Sequence, residues 1–147
     1  MSSTVLLVAN RTANTDRLRE AVADRATHGA SAFHLVVPAM PRGLHRVVDP
    51  EVAGCEEARA ALESALPSLS EAAGFEVTGE VGSADPFAAI QDALTRGNFD
   101  EVVVSTLPRR FSRWMRVDLP SKVRGLGVPV VHVQADDVPE PALAANQ

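Results

Sequence analysis

Short apolar runs separated by helix-like segments are the feature of this sequence that most restricts its fold. We predict five strands, over residues 5–10, 32–37, 75–81, 101–105 and 128–133. Several of them are continuous runs of valine and leucine, a pattern typical of strands that are covered on both faces in a parallel sheet. The segments between them have helical patterns and supply the crossover connections that such a sheet requires.

Proline and capping residues mark where the predicted helices begin and end. The second helix is predicted to start at Pro50 and to be kinked at Pro67, and the third is predicted to start at Pro86. After the fourth strand we predict an irregular stretch over residues 106–117. A short helix is then expected to follow Asp118.

These elements predict a doubly wound α/β fold, with a five-stranded parallel sheet in the order 3-2-1-4-5 and helices on both faces. A chain of 147 residues has the usual size of one domain. We place that domain at residues 1–135 and expect residues 136–147, which contain two prolines and few large apolar side chains, to form a flexible C-terminal tail.

The absence of membrane and export signals leads us to expect a cytoplasmic protein. No apolar run approaches the ~20 residues needed to cross a bilayer, and no basic region with a cleavage site precedes the first strand. The single cysteine, Cys55, has no partner for an internal disulfide and suits a reducing compartment.

The charges of the chain are acidic in sum, and its cations are almost all arginines. A formal net charge of −5 argues against nucleic acid or acidic membranes as partners. Of the 14 basic residues only Lys122 is a lysine. Arginine favours bidentate contacts with phosphate or carboxylate, although a base-composition bias of the genome accounts for the same excess.

The loops after the first and fourth strands are the predicted ligand site. In doubly wound sheets, ligands bind beyond the carboxyl ends of the strands, where the strand order reverses. With the first strand central, that point lies between strands one and four. The anion-binding side chains in the two loops are Asn10, Arg11 and Thr12 on one side and Thr106, Arg109, Arg110, Ser112 and Arg113 on the other. The alternative is that these arginines are solvated loop residues.

Several catalytic and metal-binding motifs are missing from the sequence. It has neither the G-x-G-x-x-G nor the G-x-x-x-x-G-K-[ST] phosphate motif, and no G-x-S-x-G nucleophile elbow. The four histidines, His28, His34, His45 and His132, lack the spacings of zinc sites. We therefore predict no metal site and no catalytic residue, and we interpret His132 as a hydrogen-bonded residue of the last strand.

Arginines alternate with apolar and aromatic residues over residues 109–116. Such a pattern occurs where single-stranded bases stack on a protein surface. Alternatively, Phe111, Trp114 and Met115 pack against the sheet while the arginines extend into solvent. We favour packing.

Four segments, in their order along the chain, resemble the universal stress protein family: residues 5–10, Asp85-Pro86, residues 102–106, and residues 128–133 with the sequence VPVVHV. The resemblance covers about residues 4–134. It implies an adenine-nucleotide-alpha-hydrolase-like fold, a homodimer formed through the last strand, and ATP or AMP as the candidate ligand. It also implies that Val37, at the end of the second strand, lines the adenine.

The chain departs from the nucleotide-binding pattern of that family at each signature position. Asn10 stands where the family has an aspartate after the first strand. In the family's G-x2-G-x9-G-[ST] signature, ungapped spacing places Ser105, Pro108 and Asp118 at the three glycines, and Leu119 at the hydroxyl position. Glycines let phosphates approach the backbone closely, and Pro108 lacks an amide hydrogen. In such a site Asn10 can hydrogen-bond a base or ribose, the arginines can compensate for the lost amide contacts, and Ser105 is a further candidate ligand-binding residue.

Three functions remain open from the sequence. The first is a universal stress protein-like regulatory module in stress response, which binds an adenine nucleotide or another anionic ligand without catalysis. The second is a dimeric interaction or scaffold protein that binds no nucleotide. The third is an enzyme acting on a phosphorylated substrate, which is supported only by the fact that this type of fold often occurs in enzymes.

Overall fold

The computed structural model describes residues 3–39, 50–108 and 112–135. Strands and helices alternate along these residues, with two short helices before the last strand. The elements are β1 (Ser3–Val8), α1 (Asp16–Thr27), β2 (Ala30–Pro38), α2 (Pro50–Ala73), β3 (Thr78–Gly82), α3 (Pro86–Arg96), β4 (Glu101–Thr106), α4 (Arg113–Arg116), α5 (Leu119–Arg124) and β5 (Val130–Gln134). In these described ranges, no helix is long and apolar enough to cross a membrane.

The five strands form one sheet in the order β3-β2-β1-β4-β5, and every neighbouring pair is parallel. The predicted strand order is therefore confirmed. Leu7 of the central strand belongs to one apolar cluster and Leu6 to the other, and both side chains are 0% exposed. Burial on both faces explains why this strand is a continuous apolar run.

Helices cover both faces of the sheet, as predicted. On one face, α1 contributes Leu18 and α2 contributes Leu69 to a cluster with the sheet residues. On the other face, α3 contributes Ile90 and α5 contributes Val123. Hydrophobic burial on the two faces holds β1 in the middle of the molecule, so that the loop after β1 lies beside the loop after β4.

The third strand begins later than the sequence pattern indicates. Residues 75–81 were expected to be extended, but β3 begins at Thr78. The backbone N–H of Val77 donates to the Ser70 hydroxyl at 2.9 Å, and the ring of Phe75 stacks on that of Phe33 with the centroids 5.7 Å apart. These contacts anchor the segment against the end of α2 instead of placing it in the sheet.

The last strand likewise begins at Val130 and not at residue 128. Pro129 has no N–H to donate to a neighbouring strand. Its carbonyl still accepts from the N–H of Val102 at 2.9 Å. Pro129 therefore leads the chain into β5 without belonging to the strand.

The stretch predicted as irregular contains the short helix α4. Ser112 begins this helix, and its hydroxyl accepts a hydrogen bond from the N–H of Met115 at 3.3 Å. Trp114 is only 2% exposed and lies in the apolar cluster on the α3 face, whereas Arg113 and Arg116 are exposed. The packing interpretation is confirmed for Trp114. Phe111 lies outside the described residues.

Candidate functional site

The loop that follows β1 is joined to the end of β4 by a buried hydrogen bond. The hydroxyl oxygens of Thr12 and Ser105 lie 2.6 Å apart, although 93 positions separate the two residues in the sequence. Both side chains are at most 1% exposed. The structure thus brings together two of the predicted site residues at the carboxyl ends of adjacent strands, where doubly wound folds bind ligands.

Asn10 links the end of β1 to the end of β2. Its side-chain Nδ2 donates to the backbone carbonyl of Pro38 at 2.6 Å, and the residue is 9% exposed. An aspartate carboxylate has no proton to donate and would face this carbonyl oxygen with a negative charge. The amide at position 10 therefore has a structural role that the aspartate of the universal stress protein pattern cannot perform.

Thr106 and His132 connect the end of β4 to the middle of β5. The Thr106 hydroxyl lies 2.8 Å from Nε2 of His132. Burial lowers the pKa of His132, and the nearby Arg124 lowers it further against the opposite effect of Asp118. His132 is consequently neutral at physiological pH and hydrogen-bonded within the sheet, in agreement with its interpretation from the sequence.

The described members of the predicted site are buried, except Arg113, which is exposed. Thr12, Ser105, Thr106, Ser112 and Val37 are at most 1% exposed, and Asn10 and Arg11 are each 9% exposed. Val37 lies within the apolar cluster on the α1 and α2 face. Arg109 and Arg110 lie outside the described residues. The described candidates therefore form a polar layer beneath the two loops.

The positions that correspond to signature glycines differ in their surroundings. Ser105 is inside β4, where its side chain contacts Thr12, and Pro108 is half-buried after the strand. Asp118 has φ 51° and ψ 53°, and it is the one non-glycine residue with positive φ in the described part of the chain. This left-handed conformation favours glycine. The backbone at Asp118 therefore has the conformation that glycine favours, at the third signature position. The Asp118 side chain fills space that a glycine would leave open.

A second cluster of polar side chains, which no sequence motif indicated, lies on the α3 face. His34 Nδ1 lies 2.7 Å from the Thr78 hydroxyl, and His34 Nε2 lies 2.6 Å from Glu80 Oε2. Arg96 of α3 pairs with Glu80 Oε1 at 2.7 Å. Thr78 and Glu80 are two residues apart in a predicted strand, so the sequence places both side chains on one face of the sheet. That His34 pairs with them follows only from the register of β2 and β3.

Solved structures share this arrangement of strands and helices. A universal stress protein from Archaeoglobus fulgidus superposes with a TM-score of 0.62 at 17% sequence identity, over 89% of this chain and 93% of that chain. The chain has the universal stress protein fold. A universal stress protein in complex with cAMP matches with a TM-score of 0.60 at 16% identity, over 91% of this chain and 98% of that chain.

A third structure in the comparison is the universal stress protein from Archaeoglobus fulgidus in complex with dAMP. It has a TM-score of 0.55 and 18% identity, and covers 90% of this chain and 98% of that chain. No protein-family model matches the sequence, and no curated protein matches it. The sequence-based resemblance is therefore confirmed at the level of the universal stress protein fold.

Proposed function

We propose that this protein is a universal stress protein-like regulatory module of the cytoplasm that binds an adenine nucleotide, or another small anion, between β1 and β4 without turning it over. The observation that carries the proposal is the hydrogen bond between Thr12 and Ser105, which joins the loop after β1 to the end of β4 at the reversal point of the sheet. Structural neighbours in complex with cAMP and dAMP support an adenine nucleotide as the ligand.

Arginine side chains supply the attraction for phosphate in this proposal. Pro108 has no amide hydrogen and Ser105 carries a side chain, so a glycine-lined cradle of backbone amides is not formed at these positions. Arg11 lies beside the buried polar layer, and Arg109 and Arg110 follow Pro108 in the sequence. One guanidinium group can donate two parallel hydrogen bonds to two phosphate oxygens, which makes arginine a suitable replacement for backbone amide donors.

Replacing both Arg109 and Arg110 with alanine is expected to abolish nucleotide binding. Thermal unfolding with millimolar ATP, ADP or AMP measures this, because a ligand at ~100 times its dissociation constant adds about 2.7 kcal/mol to the free energy of unfolding. Without ligand, we expect the double variant to melt within a few degrees of the wild type, as the sequence-based prediction of both arginines as loop residues implies.

The matched control is the pair Arg59→Ala and Lys122→Ala, which removes the same charge from two exposed positions outside the site. This control should respond to nucleotide as the wild type does. A wild type that is not stabilised by any of the three nucleotides contradicts nucleotide binding. A double variant at Arg109 and Arg110 that is stabilised as much as the wild type contradicts the assigned site.

A dimeric interaction or scaffold protein that binds no nucleotide is the second candidate function. It is favoured by the loss of the signature glycines, since Ser105, Pro108 and Asp118 stand at their positions. Native mass spectrometry of the freshly purified protein separates the two functions. A retained adenine nucleotide supports the first function, and a clean apo mass supports the second.

We propose that the protein forms a homodimer through β5. This strand is at one edge of the sheet, and Val130, Val131 and Val133 are only partly buried. Leu126, which precedes it, is 39% exposed. Exposed apolar edge strands are prone to pair with a second chain. Sedimentation at micromolar concentration should show a dimer, and a monomer alone would overturn this proposal.

A further inference from the structure

A pocket of about 360 Å³ lies between α3 and the sheet, near the amino ends of β1, β2 and β3. It is at the opposite end of the strands from the crevice described above. Its walls include the polar side chains of His34, Thr78, Glu80, Arg96 and Asn98. Thr78 and His34 are register partners on adjacent parallel strands, so their side chains extend from the same face of the sheet.

We propose that this pocket is a site of acyl transfer, in which the Thr78 hydroxyl is the nucleophile and His34 is its general base. Glu80 is a positioning residue that orients His34. The substrates would be small, activated carboxylic esters. The proposal rests on three side chains connected in series by hydrogen bonds, an arrangement that is recognised by geometry and not by the order of residues in the chain.

The distances in this series suit proton transfer. The Thr78 hydroxyl lies 2.7 Å from His34 Nδ1, and His34 Nε2 lies 2.6 Å from Glu80 Oε2, within the range expected of a nucleophile, a base and its orienting carboxylate. The carbonyl of Phe33 is a second acceptor for the hydroxyl, at the longer distance of 3.3 Å. His34 Nδ1 is therefore the base nearest to the hydroxyl, at 2.7 Å.

The charge of Glu80 sets the tautomer of His34. Burial raises the pKa of Glu80, but hydrogen bonds from His34 and Arg96 outweigh it, and the net pKa lies below its ordinary value. Glu80 is therefore a carboxylate at neutral pH and accepts a hydrogen bond from the N–H at Nε2 of His34. In neutral imidazole the other nitrogen, Nδ1, then has no proton and faces the Thr78 hydroxyl as an acceptor.

The exposed fractions of the three side chains suit the proposed reaction, which needs an accessible hydroxyl and a shielded base. The side chains of His34 and Glu80 are 24% and 28% exposed, whereas Thr78 is exposed at the start of β3. An ester can therefore reach the hydroxyl while the base is partly shielded from water. Ala93 and Phe99 give the pocket apolar walls for the body of a small substrate.

In the first step, Thr78 Oγ1 forms a bond to the ester carbonyl carbon and its proton moves to His34 Nδ1. The resulting oxyanion faces a pocket that contains the Arg96 guanidinium and the Asn98 amide, both hydrogen-bond donors. The carbon–oxygen bond to the leaving group then breaks, and the leaving oxygen takes the proton from His34.

In the second step His34 takes a proton from water, and the hydroxide attacks the carbonyl carbon of the acyl-threonine. The bond to Thr78 Oγ1 breaks, the carboxylic acid is released, and His34 returns the proton to Thr78.

The test uses p-nitrophenyl acetate with the full chain. We expect release of p-nitrophenol and an acetyl group on Thr78, detected by mass spectrometry of the peptide. Thr78→Val keeps the β-branched shape but has no hydroxyl, and His34→Gln has no base. Each should reduce p-nitrophenol release about 100-fold or more, the low end of the effect of a general base. Thr78→Ser should keep the activity, because serine restores the hydroxyl.

Thr95→Val is the matched control, since Thr95 is exposed on α3 and its hydroxyl donates to the carbonyl of Gln91 and not to a histidine. It should react as the wild type does. Circular dichroism confirms that each variant is folded. The proposal is overturned if the wild type reacts no faster than Thr78→Val, or if the acetyl group is found on a histidine and never on Thr78.

Discussion

Replacing Trp114 with alanine is expected to lower the free energy of unfolding by about 3–5 kcal/mol, the usual cost of truncating a buried tryptophan. Trp114 is the largest fully buried side chain of the described residues and is 2% exposed. It belongs to the cluster that joins α3, α5 and the sheet. Trp114 is the one buried side chain of the four-residue helix α4. The substitution therefore removes the buried contact that holds this helix against the protein.

Chemical denaturation at constant temperature measures this loss. Val117→Ala is the control, because Val117 directly follows α4 but is 50% exposed, and its truncation should change stability by no more than about 0.5 kcal/mol. If Trp114→Ala costs as little as Val117→Ala, the packing interpretation of this segment is wrong. The outcome also bears on the candidate site, since the buried Ser112 caps the start of α4.

Replacing Asn10 with aspartate, the residue of the universal stress protein pattern, is expected to destabilise this protein by about 3 kcal/mol at neutral pH. The substitution removes the hydrogen bond to the Pro38 carbonyl, 2.6 Å from Nδ2, and places a carboxylate against that oxygen. Position 10 is 9% exposed, so water screens the new charge poorly.

The destabilisation should depend on pH in a defined direction. Burial raises the pKa of the introduced carboxyl above its unfolded value of about 3.9. The folded state then binds the proton at higher pH than the unfolded state does, so the difference from the wild type should shrink as pH falls through the raised pKa. A protonated carboxyl also donates to the Pro38 carbonyl.

Denaturation of the wild type, Asn10→Asp and Asn10→Ala at several pH values tests this expectation. The alanine variant loses the same donor without gaining a charge, and it has no carboxyl to titrate. Its difference from the wild type should therefore stay constant with pH. Equal losses for the aspartate and alanine variants at neutral pH would show that the carbonyl of Pro38 tolerates a neighbouring carboxylate, against the role assigned here to the amide.

Local sequence signals determined the architecture of this protein. The apolar run of β1 predicted a strand buried on both faces, and Asp85-Pro86 predicted the start of α3, where the Asp85 carboxylate accepts from the N–H of Phe87 at 3.0 Å. Both signals arise from neighbouring residues and are readable without the fold. The position of the loops after β1 and β4 followed from the strand order alone.

Contacts between distant residues were decided only by the tertiary structure. The start of β3 depends on a hydrogen bond between Val77 and Ser70, and the burial of Trp114 depends on the cluster beneath α3. The pairing of His34 with Thr78 depends on the register of β2 and β3, across 44 sequence positions. A shift of one residue in that register would turn His34 and Thr78 to opposite faces of the sheet, so no local pattern can specify the cluster.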